Sequence, residues 1–243
     1  MTPSPVKIVS WNLLHTVGAR VEEVARLIQR ERPALFLMQE ATEATDDLPA
    51  IAGGHYFRSN LPGRIHGLAA WSPEPLHMPP QVMALQRGAM FRRICLLLDV
   101  GGFTVANVHL SHGQMLNRRQ LRAIARALPE RAAILGDFNM VGHALLPGFR
   151  DIGPREPTHV SGDVLPVRID RCLARGLTCT GARALRSGRS DHRPIVVQLA
   201  PAETAAQRAP WLSRLGAAVD ERRKQLKVRL DRQPARDPGQ DAA

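Results

Sequence analysis

Apolar residues along this chain fall into short blocks closed by polar turns, and the spacing inside the blocks switches between strand-like and helix-like periods. Val6 to Trp11 is brief and rich in β-branched residues, and the polar Asn12 closes it, which predicts a strand. Within Ala19 to Arg30, Val21, Val24, Leu27 and Ile28 recur at helical spacing, and Pro33 ends that helix. Ala34 to Met38 is wholly apolar, a buried strand that stops at Gln39-Glu40. Further strands are predicted at Gly67 to Trp71, Arg92 to Val100 and Phe103 to Leu110, the last two joined as a hairpin by Gly101-Gly102. Asn117 to Leu128 predicts a second amphipathic helix, stopped by Pro129, and Ala132 to Leu135 a buried strand that runs into Gly136-Asp137-Phe138-Asn139. Two more strands are expected around Val167 to Leu173 and Pro194 to Leu199.

Many strands with few helices between them suit two sheets packed face to face with helices outside, rather than a parallel doubly wound sheet. With 243 residues, 44% of them hydrophobic, the chain can build one full-sized core. After Pro201 the composition turns to Ala, Arg, Gln and Pro, so the expected organisation is a globular domain over residues 1–200 and a basic tail over 201–243. In that tail Trp211, Leu215, Val219, Leu226 and Leu230 recur near helical spacing among Arg222, Arg223, Lys224, Lys227 and Arg229. This predicts a basic amphipathic C-terminal helix followed by a disordered end. The helix either packs on the domain, binds a partner or nucleic acid, or touches an anionic membrane peripherally. The opening segment Val6 to Leu14 is too short for a membrane span and lacks the charged start of a secretory signal, so a cytoplasmic location is expected.

Net charge is +11, which suits a polyanionic partner: nucleic acid, an anionic surface or a phosphorylated small molecule. Cys95, Cys172 and Cys179 are odd in number and have no C-x-x-C spacing, so neither a disulfide framework nor a zinc ribbon is indicated. The polar residues that close the apolar runs are more telling. They are Asn12, Glu40, Asn107 with His109, Asp137 with Asn139, Asp170, and Asp191 with His192. A single site at one mouth of the sandwich accounts for all of them economically. The oxygen donors Glu40, Asp191 and Asn12 suit Mg²⁺ or Mn²⁺, and a His and carboxylate pair suits proton handling in hydrolysis. Asp137 and Asn139 are equally good turn formers.

The stretches V-K-I-V-S-W-N, F-L-M-Q-E, A-N-V-H-L, I-L-G-D-F-N, R-I-D-R and S-D-H-R-P follow one another as they do in the endonuclease/exonuclease/phosphatase superfamily, of the DNase I-like kind. The resemblance covers Val6 to about Leu199. It implies an α/β (α+β) four-layer α/β/β/α sandwich of two mainly antiparallel mixed sheets, and a Mg²⁺- or Mn²⁺-dependent hydrolase acting on phosphoric esters. By motif, Glu40 resembles the carboxylate metal ligand, with Asn12 beside it and Asp191 completing the metal or water network. Asp137 resembles the residue that orients or deprotonates the attacking water, Asn139 the one that holds the scissile phosphate, His192 the catalytic imidazole, and Asp170 its orienting carboxylate. Asn107, Arg118 and Arg119 are expected at the substrate phosphate, and Arg64, Arg92 and Arg93 are lesser candidates.

His109 resembles the secretory-DNase-like, sphingomyelinase-like and inositol-phosphatase-like branches. Abasic-site repair members carry a tyrosine in this region, and the one tyrosine here, Tyr56, lies far upstream, which disfavours a DNA-repair role. Arg171-Cys172 replaces an aromatic pair, and His66 and Trp71 stand where relatives often have small residues and a Ser. The expected activity is a monomeric phosphodiesterase of nuclease type. The alternatives are a phospholipid, sphingomyelin-like or inositol-phosphate phosphoesterase, or a catalytically silent phosphate-binding module.

Overall fold

The computed structural model describes residues 4–15, 17–88, 92–161 and 165–202. In chain order the strands of its first half are β1 (Val6–Asn12), β2 (Leu35–Ala41), β3 (His55–Asn60), β4 (Gly67–Ser72), β5 (Gln81–Ala84), β6 (Ile94–Asp99) and β7 (Thr104–His109). The second half adds β8 (Ala132–Asp137), β9 (Arg150–Asp151), β10 (His159–Ser161), β11 (Leu165–Val167), β12 (Asp170–Arg175), β13 (Leu177–Ala184) and β14 (Ile195–Pro201). Among the described residues three α-helices accompany them: α1 (Val21–Glu31), α2 (Leu48–Ala52) and α3 (Gln114–Ala127). One six-stranded sheet runs β13-β14-β1-β2-β4-β3 and the other β5-β6-β7-β8-β12-β9, with β10 and β11 as a separate hairpin. The C-terminal helix expected over Pro210 to Arg232 lies outside the described residues.

Strand alternation writes the layers directly. Ile8, Leu35, Leu37, Leu68 and Ala70 of the first sheet meet Leu96, Leu98, Val105, Ala133, Leu135 and Cys172 of the second in one buried cluster. The residues one step along point the other way. Val9, Phe36, Met38, Ala69 and Trp71 pack against Val24, Leu27 and Ile28 of α1, while Ala106, Val108, Ile134 and Leu173 pack against Leu121 and Ile124 of α3. Three apolar interfaces between four layers make this an α/β/β/α sandwich. Each fully buried Leu or Ile side chain there contributes about 1.5–3 kcal/mol by leaving water.

Local signals match these elements. Glu23, in the first turn of α1, accepts the Arg20 backbone N–H at 3.0 Å, and Arg32 leaves the helix in a left-handed conformation before Pro33. Asp99 pairs with Thr104 across the β6–β7 turn, where Gly101 and Gly102 supply positive φ. The edge strands β3 and β13 are mostly half-exposed or exposed and carry Arg, Ser, Thr and Gly, so no apolar run marks them.

Candidate active site

The register of the strands brings the predicted polar residues to one rim. β7 and β8 run parallel with His109 opposite Asp137, and the antiparallel β12 sets Asp170 opposite the same Asp137. These three positions continue the inward rows Val105–Asn107–His109, Ala133–Leu135–Asp137 and Ala174–Cys172–Asp170, so the site is the polar end of the inter-sheet core. In the other sheet β1 delivers Asn12 at its end, and Asp191 and His192 lie just before β14, which is antiparallel to β1.

Glu40 reaches the site by a device invisible in the pattern. Simple alternation would turn it outward with Phe36 and Met38. Instead Glu40 has φ 56°, and the β2–β4 register shifts between Gln39 and Ala41. After this bulge it is Ala41 that faces outward, and the Glu40 carboxylate lines the cavity. Gly136 is needed for a different reason. Its φ is 137°, and a Cβ there would sit 2.0 Å from the Val108 carbonyl oxygen. The sharp approach lets β8 end with Asp137 aimed inward.

The result is a cavity of about 320 Å³ lined by Asn12, Glu40, His109, Asp137, Asn139, Asp191 and His192, with Arg64 and Arg93 also in its wall. Asp170 stands behind, its Oδ2 2.9 Å from His192 Nδ1. Asp137 is almost wholly buried. Its Oδ2 accepts Asn12 Nδ2–H at 3.0 Å and lies 3.4 Å from His109 Nε2 and 3.8 Å from His192 Nε2. Its Oδ1 accepts the Asn139 backbone N–H at 2.8 Å, while the Asn139 side chain donates to Leu110 O at 3.0 Å. Glu40 Oε2 is 2.5 Å from His15 Nδ1, and Oε1 is 3.9 Å from His109 Nδ1.

Electrostatics give these groups different protonation preferences. Burial pushes the Asp137 carboxyl up to about 6, with the Asp170 charge adding to it against the pull of His192, Asn139 and Asn12. For His192 burial opposes the cation, but Asp170, Asp137 and Asp191 outweigh it and raise the imidazole to about 10. His109 goes the other way, since burial and then the Arg93 charge hold it well below its ordinary value. Burial works to raise Glu40, yet the hydrogen bonds from the His15 ring and backbone prevail and keep it low. A cationic and a neutral imidazole thus flank one poised carboxyl.

Three expected phosphate contacts are placed elsewhere. Asn107 has no exposed surface. It accepts Gln39 Nε2–H at 2.7 Å and donates to Met38 O at 3.1 Å and Ala69 O at 3.0 Å, tying the two sheets together one inward position below His109. Arg118 and Arg119 lie on α3, whose buried face is Asn117, Gln120, Leu121 and Ile124; the two arginines point off that face and do not line the cavity. Arg92 is exposed and likewise outside the lining, and Tyr56 bonds Thr45 away from it. The motifs passed over His15, His112 and His159, which also line the cavity together with His66. They come from loops and from the β10 hairpin, far apart in sequence, and only the fold unites them.

A sequence profile of the Endonuclease/Exonuclease/phosphatase family matches residues 9–192. Comparison with curated proteins gives no match. Among solved structures, the endonuclease/exonuclease/phosphatase from Bacteroides vulgatus aligns with a TM-score of 0.68 at 16% identity, over 82% of this chain and 100% of that one. A humanized D. rerio TDP2 gives 0.66 at 17% identity, over 81% of this chain and 99% of that one. D. rerio TDP2 complexed with a single-strand DNA product gives 0.64 at 16% identity, again over 81% and 99%. These likenesses are of fold. The profile match spans most of the chain, and together with the four-layer sandwich it shows that this protein belongs to the endonuclease/exonuclease/phosphatase family, whose members are hydrolases of phosphoester bonds.

Proposed function

We propose that this protein is a divalent-metal-dependent phosphodiesterase that cuts nucleic acid. The observation that carries the reading is the meeting of Glu40, Asn12, Asp137, Asn139, His109 and the Asp170-backed His192 around one cavity. Asp137, poised near neutrality, orients a water and takes its proton. Its two oxygens are already aimed by Asn12 and the Asn139 backbone, so little reorganisation accompanies the step. His192, held cationic by Asp170, donates from Nε2 to a phosphoryl or leaving oxygen as negative charge grows there. Arg64, Arg93 and Asn139 line the same cavity, and in this reading they hold the phosphate.

Glu40 fits a hard divalent ion. Its carboxylate lines the cavity, and Asn12 Oδ1, which accepts one N–H from Leu14 at 3.2 Å, keeps a second lone pair. An ion held there supplies Lewis-acid polarisation of the phosphoryl oxygen. Asp191, grouped with that ion by its motif, lines the same cavity and stands against His159 and His192.

The net charge of +11 and the fold shared with D. rerio TDP2, solved with a single-strand DNA product, support nucleic acid as substrate. The modest size of the cavity, about 320 Å³, suits a second reading, a phospholipid or inositol-phosphate esterase. The deciding experiment presents plasmid DNA, RNA, a lipid phosphodiester and inositol phosphates with Mg²⁺ or Mn²⁺. Cleavage of nucleic acid that disappears in Glu40→Gln and His192→Ala is expected. Hydrolysis confined to the lipid or inositol esters would replace the first reading with the second.

A further inference from the structure

Six of the nine histidines line the cavity: His15, His66, His109, His112, His159 and His192. A hard ion at Glu40 has no need of that many imidazoles, and one corner holds none of the Glu40 donors. There His159, Asp191 and His192 bring one donor atom each within 4.8 Å of one another. His159 Nδ1 is 3.7 Å from Asp191 Oδ2, and His192 Nε2 is 4.0 Å from Asp191 Oδ1. Both His159 Nδ1 and Asp191 Oδ1 are buried atoms with no hydrogen-bond partner. Ligands around a tetrahedral ion with bonds of about 2.0–2.1 Å stand about 3.3 Å apart, so closing this set on one ion draws its widest pair in by up to about 1.5 Å.

The surroundings hold the three side chains where they are. His159 and His192 pair as an isolated β-bridge, and the Arg193 N–H donates to Thr158 O at 2.7 Å. The two rings stand 4.4 Å apart between centroids. Asp170 binds His192 Nδ1, which fixes the ring with Nε2 toward the cavity, the same outer-sphere support that carboxylates give to metal-bound imidazoles. Two imidazoles and one carboxylate suit a borderline ion such as Zn²⁺ far better than Mg²⁺, which prefers oxygen.

We propose that His159, Asp191 and His192 form a binding site for Zn²⁺, separate from the Glu40 position, and that the ion silences the enzyme by occupying His192 Nε2. The ion takes the Nε2 electron pair, the proton otherwise held there leaves to solvent, and Nδ1–H stays on Asp170. The silencing rests on the function proposed above; the binding does not.

The test is calorimetric titration of Zn²⁺ into the chelator-stripped full chain, with thermal unfolding of each metal-free variant as the folding control. One Zn²⁺ should bind, on the order of tenfold or more weakly in His159→Asn and in Asp191→Asn, and unchanged in Glu40→Gln. Zn²⁺ inhibition of Mg²⁺-supported cleavage, normalised to each variant's own Zn²⁺-free rate, should weaken by the same factor. Binding that survives in both His159→Asn and Asp191→Asn, or that is lost in Glu40→Gln, overturns the site. Tight binding without inhibition, or turnover supported by Zn²⁺ alone, overturns the silencing. If no substrate is cleaved at all, the proposed function fails while the titration still decides the site.

Discussion

Asp170→Asn isolates the charge behind His192 while leaving the shape of the site intact. Both side chains are nearly buried and meet at 2.9 Å, with charge centres about 4 Å apart, where a unit pair interacts by about 4 kcal/mol at an effective dielectric near 20. At about 1.4 kcal/mol per pKa unit this is about 3 units, which takes the imidazole from about 10 to about 7. In wild type, a raised His pKa means stability that is fully present below about 6.5 and lost as pH climbs through about 10. In Asp170→Asn that loss should move to around pH 7. The assay is long-range ¹H–¹⁵N NMR of the imidazoles across pH 5–11 in metal-free protein, with urea unfolding at matched pH. With only about a tenth of His192 protonated at pH 8, kcat/KM there should fall by about tenfold. A variant whose His192 stays cationic at pH 8.5 would show that Asp137 and Asp191 hold the charge unaided, and the role given to Asp170 would fall.

Other substitutions probe separate parts of the molecule. Asn107→Ala strips three buried hydrogen bonds and should destabilise the fold by about 3 kcal/mol or more, read from denaturant midpoints. Gly136→Ala forces a Cβ onto the Val108 carbonyl at positive φ, so it should cost about 3 kcal/mol or prevent folding, and a normal melting curve would refute the clash. Mg²⁺ or Mn²⁺ should raise the Tm of wild type, and Glu40→Gln should abolish that rise, because the carboxylate proposed to hold the ion is gone. Arg118→Ala and Arg119→Ala should leave KM within about twofold, since neither faces the cavity; a rise of tenfold would return them to the substrate path.

The layers could be read from the sequence because each central strand is apolar on both faces, and a run such as Ala34 to Met38 has few other readings. Edge strands such as Leu177–Ala184 escaped notice because exposure lets Thr, Gly and Arg replace the run. In the site, the strand-end residues Asn12, Asp137 and Asp170 come to one rim because the register of neighbouring strands aligns them. Asn107 misled because a polar inward residue looks the same in sequence whether it opens on the cavity or plugs the sheets beneath it. Depth, one pleat below His109, makes the difference, and it is a property of the assembled sandwich. The bulge at Glu40 breaks parity with no Gly or Pro to announce it, and His15, His66 and His159 are gathered from segments with no common motif.

The amide plug between Gln39 and Asn107 has a mechanical implication. Asn12, Glu40 and the His192 that precedes β14 ride on one sheet and His109, Asp137 and Asp170 on the other, so the proposed reaction geometry is a vernier reading of how the two sheets slide. Locking that slide immediately beneath the reacting atoms makes turnover a finer gauge of sheet alignment than any melting temperature. Conservative changes at Gln39 should therefore register first as lost rate, in molecules that still fold.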